Sequence, residues 1–121
     1  MPRVPTPDPD DFAAQWVAAW NARDVEAVLS HFADDIVFTS PTAVRFAPES
    51  GGTVRGKEAL RRYWTVALDA NPDLHFDLIA VYAGVDTIVV NYGNQAGGVV
   101  AEVFTFDAGR IVAGHATHLQ R

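Results

Sequence analysis

A single glutamate in this sequence lies within a run of apolar residues that would change its acidity. Glu102 occupies the fourth position of VVAEVFTF, residues 99–106. If that run is buried, the carboxylate loses its water and its pKa rises toward neutrality. Such a group can act as a general acid or base, or, when protonated, donate a hydrogen bond to a carbonyl. The alternative is a structural carboxyl that is hydrogen-bonded to Trp16 or Ser40.

A serine at the end of a predicted strand is the second candidate. Ser40 follows the apolar residues 36–38 and precedes Pro41, whose fixed φ and missing amide hydrogen should end strand pairing. The hydroxyl can face a pocket, or the residue can merely begin a loop. Because an unassisted serine does not accept protons near neutral pH, we expect hydrogen bonding from Ser40 and not base catalysis.

Histidine offers a third kind of chemistry. His118 could form an acid–base pair with Glu102, since imidazole titrates near neutral pH; it could equally be a surface residue close to the end of the chain. His115 and His118 are three residues apart and would lie on opposite faces of a strand, so they cannot share a metal ion. The sequence has no cysteine, which excludes disulfides, thiolate catalysis and cysteine-bound metals. We therefore predict no metal site.

The composition favours one globular domain. Of the 121 residues, 49% are hydrophobic and 20% are charged, which is typical of a chain that folds around its own core. The net charge of −6 argues against nucleic acid as a partner, because phosphate binding requires clustered cations. We interpret the basic residues Arg55, Lys57, Arg61 and Arg62 as a solvated helix face and not as an anion site.

The sequence carries no signal for a membrane, for secretion or for a cofactor. No apolar run approaches the roughly 20 residues that cross a bilayer, and no apolar secretion segment follows the N-terminus. We therefore expect a cytoplasmic protein that does not contact a membrane. A glycine-rich phosphate loop is also missing, so no cofactor is implied.

Three helices are predicted in the first part of the chain. Asp10 or Asp11 can cap the first helix, Asp24 can cap the second, and Gly56 opens the third. Each of these residues is followed by apolar residues at helical spacing. In the second helix this spacing runs from residue 25 to residue 32.

Two other segments are predicted to be irregular. Residues 1–10 are rich in proline and acidic near their end, so we expect a disordered lead-in before a single domain at residues 11–121. Residues 41–54 contain two prolines and the pair Gly51-Gly52, which indicate a loop with a short edge strand at residues 53–54.

From residue 74 onward the hydrophobic period changes to two, which predicts strands. The predicted strands are Leu74–Tyr82, Thr87–Tyr92, Val99–Phe106 and Ile111–Leu119. Helices followed by consecutive antiparallel strands are typical of an α+β fold, in which the helices pack on one face of a bent sheet.

The order of these elements, together with three segments, resembles the nuclear transport factor 2-like superfamily, and within it the SnoaL-like and ketosteroid-isomerase branches. The segments are QWVAAWNARDVEAVLSHFADDIVFTSP (15–41), GKEALRRYW (56–64) and EVFTFDAGRIV (102–112). The resemblance covers nearly all of residues 11–119. It implies a cone-shaped fold in which three N-terminal helices close one side of a strongly curved, mainly antiparallel sheet around a deep pocket. It also implies a homodimer through the convex face of the sheet.

The resemblance assigns three positions in the ketosteroid-isomerase pattern. The family's oxyanion tyrosine corresponds to Trp16, its general-base aspartate to Ser40, and its second oxyanion carboxyl to Glu102. Two of the three roles therefore fall on different residue types. Isomerisation of a ketosteroid by the family's route is not expected.

The alternation of side chains along strands then selects neighbours of Glu102. The alignment places Val89 and Asn91 inward on one strand and His118 inward on the last. The predicted polar groups of the pocket are Ser40, Asn91, Glu102 and His118. The predicted apolar wall consists of Trp16, Trp20, Phe32, Phe38, Trp64, Leu68, Val89 and Phe104. The tryptophans could instead be plain core residues, and the Asn91 amide could pair with backbone.

These residues lead to two functional hypotheses. The first is a small enzyme of the SnoaL-like type, an isomerase, cyclase, dehydratase or hydrolase, that acts on a compact apolar molecule bearing an oxygen. Glu102 would supply acid–base chemistry, while Asn91, Ser40 and His118 would orient the oxygen. The second hypothesis is a non-catalytic module for small-ligand binding or dimerisation.

Overall fold

Helices and strands alternate in the first half of the chain, and strands alone follow. The computed structural model describes residues 4–120. Within them the helices are α1 (Pro9–Asn21), α2 (Val25–Leu29), α3 (Pro41–Phe46) and α4 (Lys57–Ala70), with a 3₁₀ turn at Pro48–Ser50. The strands are β1 (Phe32–Thr39), β2 (Thr53–Arg55), β3 (Phe76–Gly84), β4 (Thr87–Asn94), β5 (Val99–Asp107) and β6 (Arg110–His118).

Aspartate side chains begin the first two helices. The Asp8 carboxylate accepts a hydrogen bond from the amide of Asp11, and that of Asp24 accepts one from the amide of Ala27, which satisfies amide groups that have no partner inside the helix. Helix α1 therefore begins at Pro9, two residues before the predicted domain boundary. Residues 1–3 of the predicted lead-in lie outside the described residues.

Part of the segment that was predicted to be a loop is helical. Ser40 caps α3 by accepting a hydrogen bond from the Thr42 amide, and Pro41 occupies the first helical turn, where its fixed φ suits a helix and its missing N–H costs nothing. The loop prediction was therefore wrong for residues 41–46, because the proline begins a helix there as well as ending a strand. The edge strand predicted at residues 53–54 is confirmed as β2.

The second helix is shorter than its apolar spacing predicted. Helix α2 ends at Leu29, and Phe32 begins β1 instead of ending the helix. Phe32 is nonetheless buried, because the strand turns the ring toward the same core that the predicted helix would have faced.

The described strands form a six-stranded sheet in the order β2-β1-β6-β5-β4-β3. Every neighbouring pair in that order is antiparallel except β1 and β6, which run parallel. The sheet is curved and not closed, and the helices pack on one face. The predicted α+β class and the mainly antiparallel sheet are confirmed, and the four long strands lie within two residues of their predicted ends.

The alternation in β4 differs by one residue from the prediction. Ile88, Val90 and Tyr92 are buried on the inner face, whereas Val89 and Asn91 belong to the outer face. The register explains this difference, because Val90 lies directly opposite Glu102 of β5 and paired residues share a face. The prediction that Val89 and Asn91 point inward was therefore wrong. The Asn91 side chain donates a hydrogen bond to the carbonyl of Val100 instead.

Two side chains tie the helices to the sheet. The Asn21 amide group pairs with the backbone of Phe76, donating to its carbonyl at 2.9 Å and accepting from its N–H at 2.8 Å. Arg23 donates to the carbonyls of Leu68 and Asn71 at the end of α4. Together they fix the ends of α1, α4 and β3 against one another. None of the helices within residues 4–120 is both long enough and apolar enough to cross a bilayer.

A glycine in β6 is required by the packing of two aromatic rings. A Cβ atom added at Gly114 would lie 2.9 Å from Phe38 and 3.2 Å from Phe104. We predict that Gly114→Ala lowers the free energy of unfolding by about 1–3 kcal/mol, which is the usual cost of overpacking a core. Urea unfolding measures this change.

Gly93 in β4 provides a matched control. A Cβ atom there would meet its nearest neighbours only at 3.8 Å and 3.9 Å, so Gly93→Ala should be neutral or slightly stabilising. Equal destabilisation by the two substitutions would show that the contact with the aromatic rings is not the cause.

Candidate functional site

A cavity of about 330 Å³ lies between the helices and the inner face of the sheet. Its apolar wall is aromatic and includes Trp20, Phe38, Phe46, Trp64 and Phe76. Its size and its apolar character suit a small organic molecule, since ligand sites are concave, mostly apolar and supplied with a few polar groups. The polar groups that line it are Ser40, Thr42, Arg45, Tyr63, Asn71, Tyr92, Asn94, Gln95, Glu102 and His118.

Glu102 is the buried carboxyl of this cavity. It projects from β5, and only 5% of its surface is exposed. Burial raises the pKa of Glu102 to about 7, because the charged form loses its hydration. The side chain is therefore divided between its acid and carboxylate forms at neutral pH.

Tyr92 holds one oxygen of that carboxyl. Its hydroxyl donates a hydrogen bond of 2.6 Å to Oε2 of Glu102, which lowers the pKa of Glu102 and offsets part of the effect of burial. Burial and the neighbouring Glu102 raise the pKa of Tyr92 well above its ordinary value, so the phenol keeps its proton. Within residues 4–120 no hydrogen bond engages Oε1 of Glu102, which leaves that atom available to a ligand.

A row of three hydroxyl groups forms a second polar part of the wall. Thr42 Oγ1 lies 2.8 Å from Ser40 Oγ and 2.5 Å from the Tyr63 hydroxyl. Burial raises the pKa of Tyr63, and the charge of Glu102 adds to the rise, which indicates that this phenol and the carboxyl are near one another. Helix α3 positions Thr42 and helix α4 positions Tyr63.

The family assignment follows from a match that covers most of the chain. The SnoaL-like domain family matches residues 13–114. The chain belongs to the SnoaL-like family. The resemblance to the nuclear transport factor 2-like superfamily is thereby confirmed.

Solved structures of SnoaL-like and related proteins share this fold. A SnoaL-like protein of unknown function from Burkholderia thailandensis is 40% identical, with a TM-score of 0.86 over 93% of this chain and 100% of that one. A candidate polyketide cyclase from Sinorhizobium meliloti is 20% identical (TM-score 0.73; 88% of this chain, 94% of that one). TerC, crystallised with polyporic acid, is 16% identical (TM-score 0.75; 93% and 92%). No curated protein matches the chain.

Six of the predicted site residues of this SnoaL-like protein line the cavity. They are Trp20, Phe38, Ser40, Trp64, Glu102 and His118. His118 lies opposite Val100 in the sheet, diagonal to Glu102, but no hydrogen bond joins their side chains among the described residues. Ser40 has a structural task as well, because its hydroxyl caps α3.

The other predicted residues lie elsewhere. Trp16, Phe32, Leu68 and Phe104 are buried in the core but do not line the cavity. Trp16 lies one layer behind the wall, where its ring packs against Tyr92 at 5.4 Å and Phe104 at 5.6 Å. Hydrophobic periodicity indicated that these residues are buried, but it does not separate the surface of a cavity from the layer beneath it.

Seven polar residues of the cavity wall were not predicted from the sequence, and three of them, Thr42, Tyr63 and Tyr92, belong to the hydrogen-bonded groups described above. The correct register of β4 would have identified Tyr92. This residue lies two positions after Val90, which pairs with Glu102, so both side chains are on the inner face of the sheet. Tyr63 precedes Trp64 in α4, and both are buried; helical spacing indicated burial but no chemistry. Thr42 carried no signal, because its segment read as a loop. The hydrogen bond to Glu102 comes from Tyr92 and not, as the alternative had it, from Trp16 or Ser40.

The described residues offer no cluster for a metal ion. Between residues 4 and 120 there is no group of three or more histidine, aspartate or glutamate side chains close enough to share one.

The indole N–H groups of Trp16 and Trp20 are buried without a hydrogen-bond partner among the described residues. Both rings lie edge-on to other aromatic rings, with Trp20 and Trp64 separated by 5.0 Å.

The raised pKa of Glu102 predicts how stability depends on pH. The pKa is about 7 in the folded chain and 4.5 as the ordinary value, so the folded protein binds the proton more tightly than the unfolded chain does. Stability from this group is complete below pH 4.5 and is lost as the pH rises through 7, by about 3 kcal/mol in total. Glu102→Gln should abolish this loss, as urea unfolding of both proteins from pH 4 to pH 8 would measure.

Tyr92→Phe is the companion variant. It removes the hydrogen bond that lowers the pKa of Glu102, so the pH at which stability falls should move upward. Parallel pH profiles for the wild type and Glu102→Gln would show that the pKa of this carboxyl is not raised.

Proposed function

We propose that this SnoaL-like protein is a small enzyme that binds a compact apolar molecule with a carbonyl group and transfers a proton through Glu102. The observation that supports the proposal is a carboxyl with a pKa of about 7 whose Oε1 is available to the cavity. A catalytic group is most effective when its pKa is close to the working pH. Among residues 4–120 no charged side chain shifts the pKa of Glu102, so the rise is due to burial.

The arrangement supports proton transfer next to a carbonyl. Oε1 of the Glu102 carboxylate would take a proton from the carbon beside the carbonyl, and the electrons of that C–H bond would move onto the carbonyl oxygen as an enolate. The protonated Glu102 would then return its proton to another atom of the ligand. Tyr92 would hold Oε2 throughout and so fix the direction of Oε1. Isomerisation, cyclisation and dehydration can all begin with this step.

Two proteins of related structure support a small organic molecule as the ligand. One related structure is of a candidate polyketide cyclase, and another contains polyporic acid. At 20% and 16% identity these proteins share the fold with this chain, and fold alone does not assign an activity. The proposal therefore rests on the cavity and on the Glu102 carboxyl, and the two related structures are consistent with it.

A second candidate function is binding of a small ligand without turnover. The observation that favours it is that Tyr92 already satisfies one oxygen of Glu102, while Ser40, at the position of the related family's base, caps a helix. In that case Glu102 would serve as a hydrogen-bonding group only. Proton exchange distinguishes the two functions.

Deuterium exchange into a ketone tests the proposal without knowledge of the natural substrate. In heavy water the wild type should accelerate exchange at the carbon beside the carbonyl of 2-tetralone, a compact bicyclic ketone. The rate should rise as the pH passes through about 7, because the carboxylate is the active form of the base. Glu102→Gln should reduce the rate at least one-hundredfold, as NMR would measure.

Glu49→Gln is the matched control, since Glu49 is an exposed glutamate that does not line this cavity. It should exchange at the wild-type rate. If Glu102→Gln also keeps that rate, Glu102 is not the base, and the non-catalytic function is preferred.

We also propose that the protein is a homodimer through the outer face of the sheet. That face carries the half-buried Val89, Val99, Ala101 and Val103, and its edge strand exposes 57% of Ile79. Charged side chains are missing from the outer face of β5 between residues 99 and 105. Because each chain has a net charge of −6, two copies would meet with least repulsion through this uncharged surface.

Light scattering tests the dimer. The wild type should have the mass of two chains, and Val103→Asp should have the mass of one, because two carboxylates would be buried in the interface without partners. Val66→Asp, on an exposed valine of α4, should remain dimeric. A monomeric wild type would refute the proposal.

A further inference from the structure

The three hydroxyl groups in the cavity wall form an open chain with Thr42 at its centre. Thr42 Oγ1 contacts Ser40 Oγ at 2.8 Å and the Tyr63 hydroxyl at 2.5 Å. Burial raises the pKa of Tyr63, and hydrogen bonding to Ser40 and Thr42 offsets part of that rise. Of these two contacts, only the one between Thr42 and Tyr63 has the distance and angle of a regular hydrogen bond among the described residues, so the chain is open between its two ends. Both ends of the chain line the cavity.

The number of hydroxyl hydrogens decides whether such a chain can donate a hydrogen bond to a ligand. Three hydroxyl groups carry three hydrogens, and the two hydrogen bonds between them use two. If Ser40 donates to Thr42 and Thr42 donates to Tyr63, the Tyr63 hydrogen is free. If the order is reversed, the Ser40 hydrogen is free. If both end groups donate to Thr42, the Thr42 hydrogen is free. Every arrangement therefore leaves one hydrogen unused, and all three hydroxyl groups line the cavity.

The backbone holds the centre of the chain in place. The Thr42 amide donates to Ser40 Oγ at 3.2 Å as part of the cap of α3, and Tyr63 is buried with only 4% of its surface exposed. The hydroxyl groups are therefore positioned before any ligand arrives. A donor fixed in this way loses little conformational entropy when it binds an oxygen.

We propose that the chain Ser40–Thr42–Tyr63 donates one hydrogen bond to an acceptor oxygen of the bound molecule, and that the cavity thereby selects ketones over hydrocarbons of the same shape. This inference rests on the proposed ligand site. It assigns the recognition of the oxygen to the hydroxyl chain and leaves proton transfer to Glu102. As negative charge develops on that oxygen, the same hydrogen bond would strengthen.

Infrared spectroscopy of a bound ketone tests the proposal. The probes are 1-tetralone with a ¹³C-labelled carbonyl and tetralin, its counterpart without the oxygen. The wild type should bind tetralone about tenfold more tightly, and the carbonyl stretch should move to lower frequency on binding. The triple variant Ser40→Gly/Thr42→Val/Tyr63→Phe, which removes all three hydroxyl groups, should lose both the preference and the shift. Glycine is chosen at residue 40 because it caps a helix almost as well as serine does.

The variant Thr42→Val distinguishes hydroxyl groups that donate a hydrogen bond to the ligand from hydroxyl groups that only stabilise the fold. This change removes the central hydroxyl but leaves a hydrogen on both end groups, so the carbonyl shift should persist. Tyr82→Phe removes an exposed phenol outside the cavity and should change nothing.

The proposal is overturned if the triple variant keeps the carbonyl shift, if the wild type binds tetralone and tetralin equally, or if it binds neither. Loss of the shift in Thr42→Val would also contradict it. Glu102→Gln should keep the shift while losing proton exchange, so failure of this inference can be told apart from failure of the proposed function. If proton exchange depends on Glu102 while the triple variant keeps its shift, only the role of the hydroxyl chain is wrong.

Discussion

The burial of one carboxyl beside one phenol is the constraint on which the site depends. Glu102 is nearly enclosed by the sheet and the helices, and Tyr92 supplies the hydrogen bond that such a group requires. An enclosed carboxyl without a partner would destabilise the fold, and one with several donors would have a low pKa. Among the described residues Glu102 has one donor, Tyr92, which leaves it with a pKa of about 7 and with Oε1 free of a hydrogen bond.

The curved sheet makes this arrangement possible. Tyr92 and Glu102 lie on neighbouring strands and on the same face, because β4 and β5 pair with Val90 opposite Glu102. The parallel contact of β1 with β6 brings Phe38 and Ser40 to the same concavity from an early part of the chain. The fold therefore gathers a carboxyl, two phenols and two aliphatic hydroxyl groups around an aromatic pocket. A fold of this kind hosts many functions, so the polar groups and not the scaffold distinguish this protein.

The division of roles that we propose for the polar groups follows from the elements that hold each of them. Glu102 and Tyr92 are fixed by the sheet, whereas Ser40, Thr42 and Tyr63 belong to α3 and α4 or their caps. A ligand between them would contact the sheet on one side and the helices on the other. Burial of Glu102 lowers the stability of the folded protein when the carboxyl is charged, and the same burial raises its pKa to about 7. The stability of the fold and the acidity of this group therefore depend on the same burial.

The sequence by itself determined the fold class, the long strands and the burial of Glu102, because hydrophobic period and local capping are properties of neighbouring residues. It also indicated Ser40, Trp20, Phe38 and Trp64. Only the tertiary structure decided the partner of Glu102. A shift of one residue in the register exchanges the two faces of a strand, and it moved Val89 and Asn91 outward and Tyr92 inward. The hydroxyl chain likewise joins residues from separate helices, and no local pattern encodes that contact.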